Sequence, residues 1–155
     1  MTPCLSLEVV KFCAVECELQ RSGERSVGWM AEAWQSAQGW AKQGRIHITD
    51  ILLLGEMVEP KKNTYSNFRQ HGVMIGDDVK LNWQLIPRQI EDLLAEQNAA
   101  TPEGWFFKYE DIHPFADGNG RTGQILFNWL NGTLHEPVWA PNYWNDPRRT
   151  DGDGA

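Results

Sequence analysis

The stretch His113-Pro-Phe-Ala-Asp-Gly-Asn-Gly-Arg121 gathers an imidazole, a carboxylate, two closely spaced glycines and a guanidinium in one short run. Gly118, Asn119 and Gly120 permit a tight turn whose backbone N–H groups point one way, at the start of a helix. There the unpaired amides and the helix dipole both favour an anion. Glycine at 118 and 120 also lets a phosphate approach the backbone closely, and Arg121 adds a planar fork suited to phosphate oxygens. Asp117 beside such a nest repels a phosphate unless a divalent cation bridges them, which implies Mg²⁺. His113 stands at the other end of the run, and an ordinary imidazole pKa of about 6.5 suits a general base near neutral pH. Phosphate cradle, cation ligand and base together spell transfer of a phosphorus-containing group. Taken singly, each residue has a plainer reading as a Gly-rich connector, a capping Asp or a surface His. The combination has a chance frequency on the order of 10⁻⁸ per start position from average residue usage.

Helices must hold that loop. Apolar residues between Leu5 and Leu19 give a helical stripe. Ser26 can cap a second helix with Trp29, Ala33, Trp34, Ala37, Trp40 and Ala41 on one face, ended by Gly44. A third helix begins at Thr49-Asp50 and buries Ile51, Leu52, Leu54, Met57 and Val58. Short extended runs at Tyr65–Gln70 and Val73–Ile75, separated by His71-Gly72, read as a hairpin, with Gly76-Asp-Asp as a second turn. Pro87 suits the first turn of a helix through Ile90, Leu93 and Leu94. Thr101-Pro-Glu opens another that holds Trp105, Phe106 and Tyr109, and two glycines keep residues 115–120 out of any helix. The last helix runs from Arg121 to Leu130 with Ile125, Leu126 and Trp129 inside. In the polar tail, Trp139 and Trp144 pin the segment to the body or line a partner surface. The expectation is a mainly α chain with one hairpin.

A length of 155 residues suits one domain. Its 14 Lys+Arg against 21 Asp+Glu give a net charge of −7, which argues against binding nucleic acid through a broad basic face. The odd cysteine count, Cys4, Cys13 and Cys17, is no disulfide framework, and Cys-x3-Cys without a nearby His is a weak zinc signal. Buried thiols in a reducing compartment fit better. Glu8, Lys11, Glu16 and Glu18 interrupt any secretory apolar run, and no stretch approaches the ~18 residues of a membrane span. The chain is expected to be cytoplasmic, with no membrane partner.

The residues from His113 to Arg121 resemble the Fic family motif, His-x-Phe-x-(Asp/Glu)-Gly-Asn-Gly-Arg-x-x-Arg. Upstream, Phe68-Arg69-x-x-x-Val73-x-Ile75-Gly76 is similar to the family's β-hairpin flap, and Pro87-x-x-Ile90-x-x-Leu93-Leu94 to the helix after it. The resemblance covers roughly residues 46–131. It implies a compact Fic-type helical bundle with one β-hairpin flap beside the active-site loop. Residues 1–45 are expected to add N-terminal helices outside the resemblance, 46–136 to form the Fic core with the flap at about 64–76 and the motif at 113–124, and 137–155 to be an irregular tail. The implied activity is protein adenylylation. His113 deprotonates a target Ser, Thr or Tyr hydroxyl, which attacks the α-phosphorus of ATP, and Asp117 holds Mg²⁺. Gly118, Asn119 and Gly120 bind phosphates, and Arg121 neutralises the leaving pyrophosphate. Phe115 anchors the loop in the core, and a flap carrying Phe68, Arg69, Val73 and Ile75 grips the target by strand addition.

The motif's last arginine is replaced by Gln124. In the family that arginine holds the γ-phosphate, and losing a charged hydrogen bond costs about 1.5–3 kcal/mol. Three readings stay open: AMP transfer with weakened ATP binding, a different phosphate donor, or a degenerate nucleotide-binding site. Relatives of the Doc type transfer phosphate instead and carry Lys where this chain has Gly120, so Gly120 favours AMP transfer. No (Ser/Thr)-x-x-x-Glu-(Gly/Asn) inhibitory pattern occurs, which leaves a separate antitoxin-like inhibitor as the partner the resemblance allows.

Overall fold

Residues 5–141 are described by the computed structural model. Helix α1, Leu7–Leu19, starts where the Ser6 hydroxyl accepts the Val9 amide at 3.2 Å, as short polar side chains do at an N-cap. It buries Val9, Phe12, Cys13 and Cys17 and packs on α2, Glu24–Ala41. Ser26 lies inside α2 rather than capping it; its hydroxyl donates to the Ser22 carbonyl at 2.7 Å, and Gly23 occupies the cap position. Helix α3, Ile48–Val58, is closed at its start by the His47 amide donating to the Asp50 carboxylate at 2.8 Å. After a 3-10 turn at Trp83–Leu85 come α4, Ile86–Ala95, and α5, Pro102–Ile112, both with proline in the first turn. Helix α6, Asn119–Asn131, is buried along most of its length, with α2, α3 and α5 packed around it. Its first turn already contains Gly120, so the helix begins two residues earlier than the glycines suggest.

The buried tryptophans are pins as well as bulk. Indole N–H groups of Trp34, Trp105 and Trp129 donate to the carbonyls of Leu134, Leu93 and Gly44 at 2.7, 2.9 and 3.0 Å, which satisfies the one polar atom each takes into the core. Trp29 and Trp40 are only half-buried, because Met30, Ala33, Trp34 and Ala37 form the inward face of α2. Trp139 stacks on Phe12 with ring centroids 4.0 Å apart, so the segment after α6 is pinned to the body; Trp144 lies outside the described residues. Cys13 and Cys17 are free and buried, and burial, with Cys17 and Glu16 nearby, pushes the Cys13 thiol up to about 12. Among the described residues no cluster of three or more His, Cys, Asp or Glu could hold a metal, and no helix is long and apolar enough to cross a membrane.

The hairpin is displaced from its expected position. Strands β1, Met74–Ile75, and β2, Asp78–Val79, pair antiparallel in the register Met74↔Val79 and Ile75↔Asp78 around Gly76-Asp77. Gly76 sits at φ 59, and this turn, not His71-Gly72, reverses the chain. Residues 65–70 form no strand. Phe68 and Arg69 are consecutive and both buried, whereas a strand sends neighbouring side chains to opposite faces.

Candidate active site

Helix α5 ends on His113, which adopts the left-handed conformation at φ 51 while its amide still donates to the Tyr109 carbonyl at 3.0 Å. For a non-glycine residue that conformation persists only where its surroundings enforce it. Arg69 supplies the enforcement. Its Nε donates to the His113 carbonyl at 2.6 Å, and its terminal nitrogens donate to the carbonyls of His71, Leu81 and Ile112. Its own amide donates to the Pro114 carbonyl at 2.9 Å.

The rest of the loop is braced as tightly. The Asn119 side chain spans it, its oxygen accepting the Phe115 amide at 2.9 Å and its nitrogen donating to the Phe115 carbonyl at 2.8 Å. Asn63 Nδ2 joins the Asp117 carbonyl to that of Gly55. The Phe115 ring lies against Phe68 and directly on Gly55, where any Cβ would overlap it. Gly118, at φ 81, turns the chain into α6, and a Cβ there would stand 2.9 Å from Val58 Cγ2. Only glycine serves both demands.

These braces leave a cleft of about 350 Å³ in which His113 faces the Asp117–Gly120 turn, with Val73 and Ile75 on the flap side and Gln20 beyond Gly120. His113 is more than nine-tenths buried and its Nδ1 has no hydrogen-bond partner of good geometry. Burial first, then the Lys80 and Arg69 cations, lowers its pKa to about 4, against the smaller upward pulls of the Glu110 carbonyl and Asp117. The imidazole is therefore neutral at pH 7 with a lone pair available, more firmly than an ordinary histidine.

Burial pushes the Asp117 carboxyl upward, but Lys62, the Gly118 amide and Arg121 outweigh it and hold the group below the usual carboxylate range. One oxygen accepts the Gly118 amide at 2.7 Å, and the other meets Lys62 Nζ at 3.0 Å. A half-exposed, ionised carboxylate on the cleft wall fits Mg²⁺, which commonly takes one or two protein carboxylates and completes its shell with phosphate oxygens and water.

Several residues expected in the site stand elsewhere. Arg121 is 1% exposed; it donates to the Val58 carbonyl at 2.8 Å and lies 3.6 Å from Glu59 and 3.5 Å from Asp117, binding α6 to the end of α3. Gln124 is fully buried with its oxygen accepting the Ala140 amide at 2.9 Å. Both point into the body because α6 is enclosed on nearly every side. The Asn119 side chain braces the loop, so only its backbone faces the cleft. Phe68 and Arg69 support the loop from beneath, whereas Val73 and Ile75 reach the cleft. Conversely, Lys62, Asn63, Lys80 and Gln20 contribute although no local pattern marks them.

The sequence profile of the Fic/DOC family matches residues 47–131, more than half of the chain. The chain belongs to the Fic/DOC family. The fold agrees. A Fic family protein from Desulfovibrio desulfuricans G20 superposes with a TM-score of 0.57 at 20% identity, over 82% of this chain and 42% of that one. Fic-1 (residues 134–508) from C. elegans gives 0.55 at 19%, over 76% and 40%. A Fic domain containing signaling protein from Bacteroides thetaiotaomicron VPI-5482 gives 0.54 at 18%, over 75% and 51%. This Fic/DOC chain thus spans about half or less of the length of those structures. No curated protein matches its sequence. The matched segment includes the His113 loop, the hairpin and α3 to α6, and leaves α1 and α2 outside it.

Proposed function

We propose that this Fic/DOC protein is a nucleotidyltransferase that moves AMP from ATP to a hydroxyl of a target protein. The observation that supports it most is the pairing, across one cleft, of a buried neutral His113 with the Asp117–Gly120 turn at the start of α6. In this reading the target hydroxyl gives its proton to the His113 imidazole as its oxygen bonds to the α-phosphorus. The bond from that phosphorus to the β-phosphate bridge breaks, and pyrophosphate leaves. Backbone N–H groups at the head of α6 orient the phosphates, at the positive end of the helix dipole. Mg²⁺, held by Asp117, would neutralise phosphate charge. The loop braces keep the base in place without reorganisation, which is where an enzyme gains most from rigid positioning. Exposed Met74, Ile75 and Val79 on the hairpin offer the target an apolar edge. The cytoplasm, where nucleotide and reduced cysteines coexist, is the fitting compartment.

A second reading, a phosphate donor other than ATP, draws on Gln124, whose amide oxygen is committed to Ala140 and leaves that position without a cation for a terminal phosphate. Incubation in lysate with α-³²P- and γ-³²P-labelled ATP separates the two, because a donor other than ATP leaves protein unlabelled from either position. Protein labelled only from the α-position, and lost in His113→Asn by about 10²- to 10⁴-fold, supports AMP transfer. Label only from the γ-position, or label that survives His113→Asn, overturns it. Asparagine tolerates the left-handed conformation of residue 113, so the variant retains the loop.

A further inference from the structure

Helices α4 and α5 leave a second groove between them, of about 400 Å³, within the range of pockets that accept small ligands. Its floor is apolar: Leu93 of α4 and Ile112 of α5 are buried there, and the half-buried Leu81, two residues past β2, joins them. Its rim is acidic. Of the charged side chains that line it, Asp92, Glu96 and Asp111 are carboxylates, and the one cation, Lys108, is held by Glu96 at 2.7 Å. Among the described residues no cation lies within ion-pair distance of Asp92, and no cluster of three or more His, Cys, Asp or Glu could hold a metal. Lys80 precedes Leu81 in the chain but is buried and turned to Asp78 on the hairpin at 2.8 Å. The groove is also tied to the catalytic loop. One terminal nitrogen of Arg69 donates to the carbonyls of both Leu81 and Ile112, at 2.7 and 3.2 Å, while its Nε holds His113.

We infer that this groove is a subsite for a Lys or Arg side chain of the target protein, flanking the hydroxyl that receives AMP. The inference rests on the transfer proposed above for the role of that side chain, and on the groove alone for its chemistry. Lys and Arg carry a charged head on an aliphatic stem, and they lay the stem on apolar surface while the head stays in water. An apolar floor under a carboxylate rim is the complement of that shape. A wholly apolar side chain would take water from the carboxylates and give no partner in return, and an acidic one would meet like charge. Continuity with the hairpin favours a segment of the target over a free cation. Leu81 lies on the chain that leaves β2, and Ile112 lies immediately before His113, so the groove adjoins both the hairpin and the reacting loop. Because Arg69 grips Leu81, Ile112 and His113 together, groove and base keep a fixed separation. That separation sets the spacing between basic residue and hydroxyl in the target.

Asp92 and Asp111 are exposed, so substitutions there leave the core intact. The test uses the full chain, α-³²P-ATP with Mg²⁺, and paired peptides. Each peptide has one Ser, Thr or Tyr and, at successive flanking positions, a single Arg or its neutral isostere citrulline. Arg at the matching position should raise kcat/KM by about five- to tenfold over citrulline, the scale of one or two exposed ion pairs. Asp92→Asn combined with Asp111→Asn should label the two peptides at equal rates, and Asp92→Lys combined with Asp111→Lys should favour Glu at that position instead. Titration with Nα-acetyl-arginine methylamide, followed by backbone amide NMR, should shift residues 89–96 and 108–112 in wild type but not in the double Asn variant, and the citrulline analogue should shift neither. Equal labelling of both peptides by wild type, or a preference that persists in the double Asn variant, overturns the subsite and leaves the proposed transfer standing. A wild type that labels no peptide counts against the transfer, and the titration then decides the groove: arginine-specific shifts retain it, and their absence overturns it.

Discussion

Two segments meet at the cleft and are built in opposite ways. The loop from His113 to Gly118 is irregular backbone, yet side chains from two distant places and from the residue that follows it hold it. Arg69 takes the His113 carbonyl, Asn63 takes the Asp117 carbonyl, and Asn119 takes both polar atoms of Phe115. The hairpin is regular β-structure, yet its strands are two residues each and Met74, Ile75 and Val79 remain exposed. Regularity is thus no guide to rigidity here. An isolated two-stranded ribbon is marginal in water, while a loop whose carbonyls at 113, 114, 115 and 117 are taken by side chains and backbone of the body opens only with the body beneath it. Chemistry needs fixed positions and target capture needs adaptability, and the molecule divides the two tasks between these segments.

Breaking the loop's main brace should have the largest effect. Arg69→Met keeps the stem and removes the guanidinium, leaving the carbonyls of His71, Leu81, Ile112 and His113 without their donor. Unpaired buried carbonyls cost about 1–3 kcal/mol each, so with partial hydration the loss of stability should be about 4 kcal/mol, read as a lowered denaturant midpoint. Transfer should fall further than the folded fraction does, because His113 loses the bond that holds its backbone. A variant of unchanged stability would show that Arg69 is peripheral, despite its burial.

The loop was legible in the sequence because its signals are local. Glycine at 118 and 120, proline at 102 with Thr101 before it, and the imidazole at 113 each act within a few residues of themselves. What supports the loop was not legible. Arg69 lies 44 residues from the carbonyl it holds, and Asn63 lies 54 from its own, so nothing in their neighbourhoods reveals the pairing. The hairpin was misplaced for the same reason: Phe68 and Arg69 follow the demands of the loop above them rather than their own extended propensity. Arg121 and Gln124 carry the residue types of a phosphate site, but periodicity alone does not reveal that α6 is enclosed by α2, α3 and α5, which turns both side chains inward. Gln20 is silent in the sequence because its partner, Gly120, is a hundred residues away and has no side chain.

Acid should separate the two segments next. His113 has a folded pKa of about 4, against about 6.5 when unfolded. Between these values the unfolded chain binds more protons than the folded one, so stability rises with pH through this window. The contribution is complete above about pH 6.5 and is lost as pH falls toward 4, by about 3 kcal/mol in all. Thermal melting followed from pH 7 to pH 4 should show this loss in wild type and a flatter profile in His113→Asn. Identical slopes in the two proteins would mean that the ring is solvated and not held as described.

The smallest effect on the fold, and the one that sharpens the contrast most, belongs to the hairpin. Val79 is 74% exposed and Met74 63%, and the two are paired across β1 and β2. Replacing both with Ser removes apolar surface that the folded chain does not bury, so stability should change by no more than about 0.5 kcal/mol. Nucleotide affinity should also hold, since neither side chain lines the cleft. The target's KM should rise several-fold, while kcat, set by the His113 loop, stays near its original value. A loss of stability comparable to that of Arg69→Met would place the hairpin in the rigid body; an unchanged KM would take it out of target binding. Either result would dissolve the division of labour between the segments, because the hairpin would then be a second brace or a bystander.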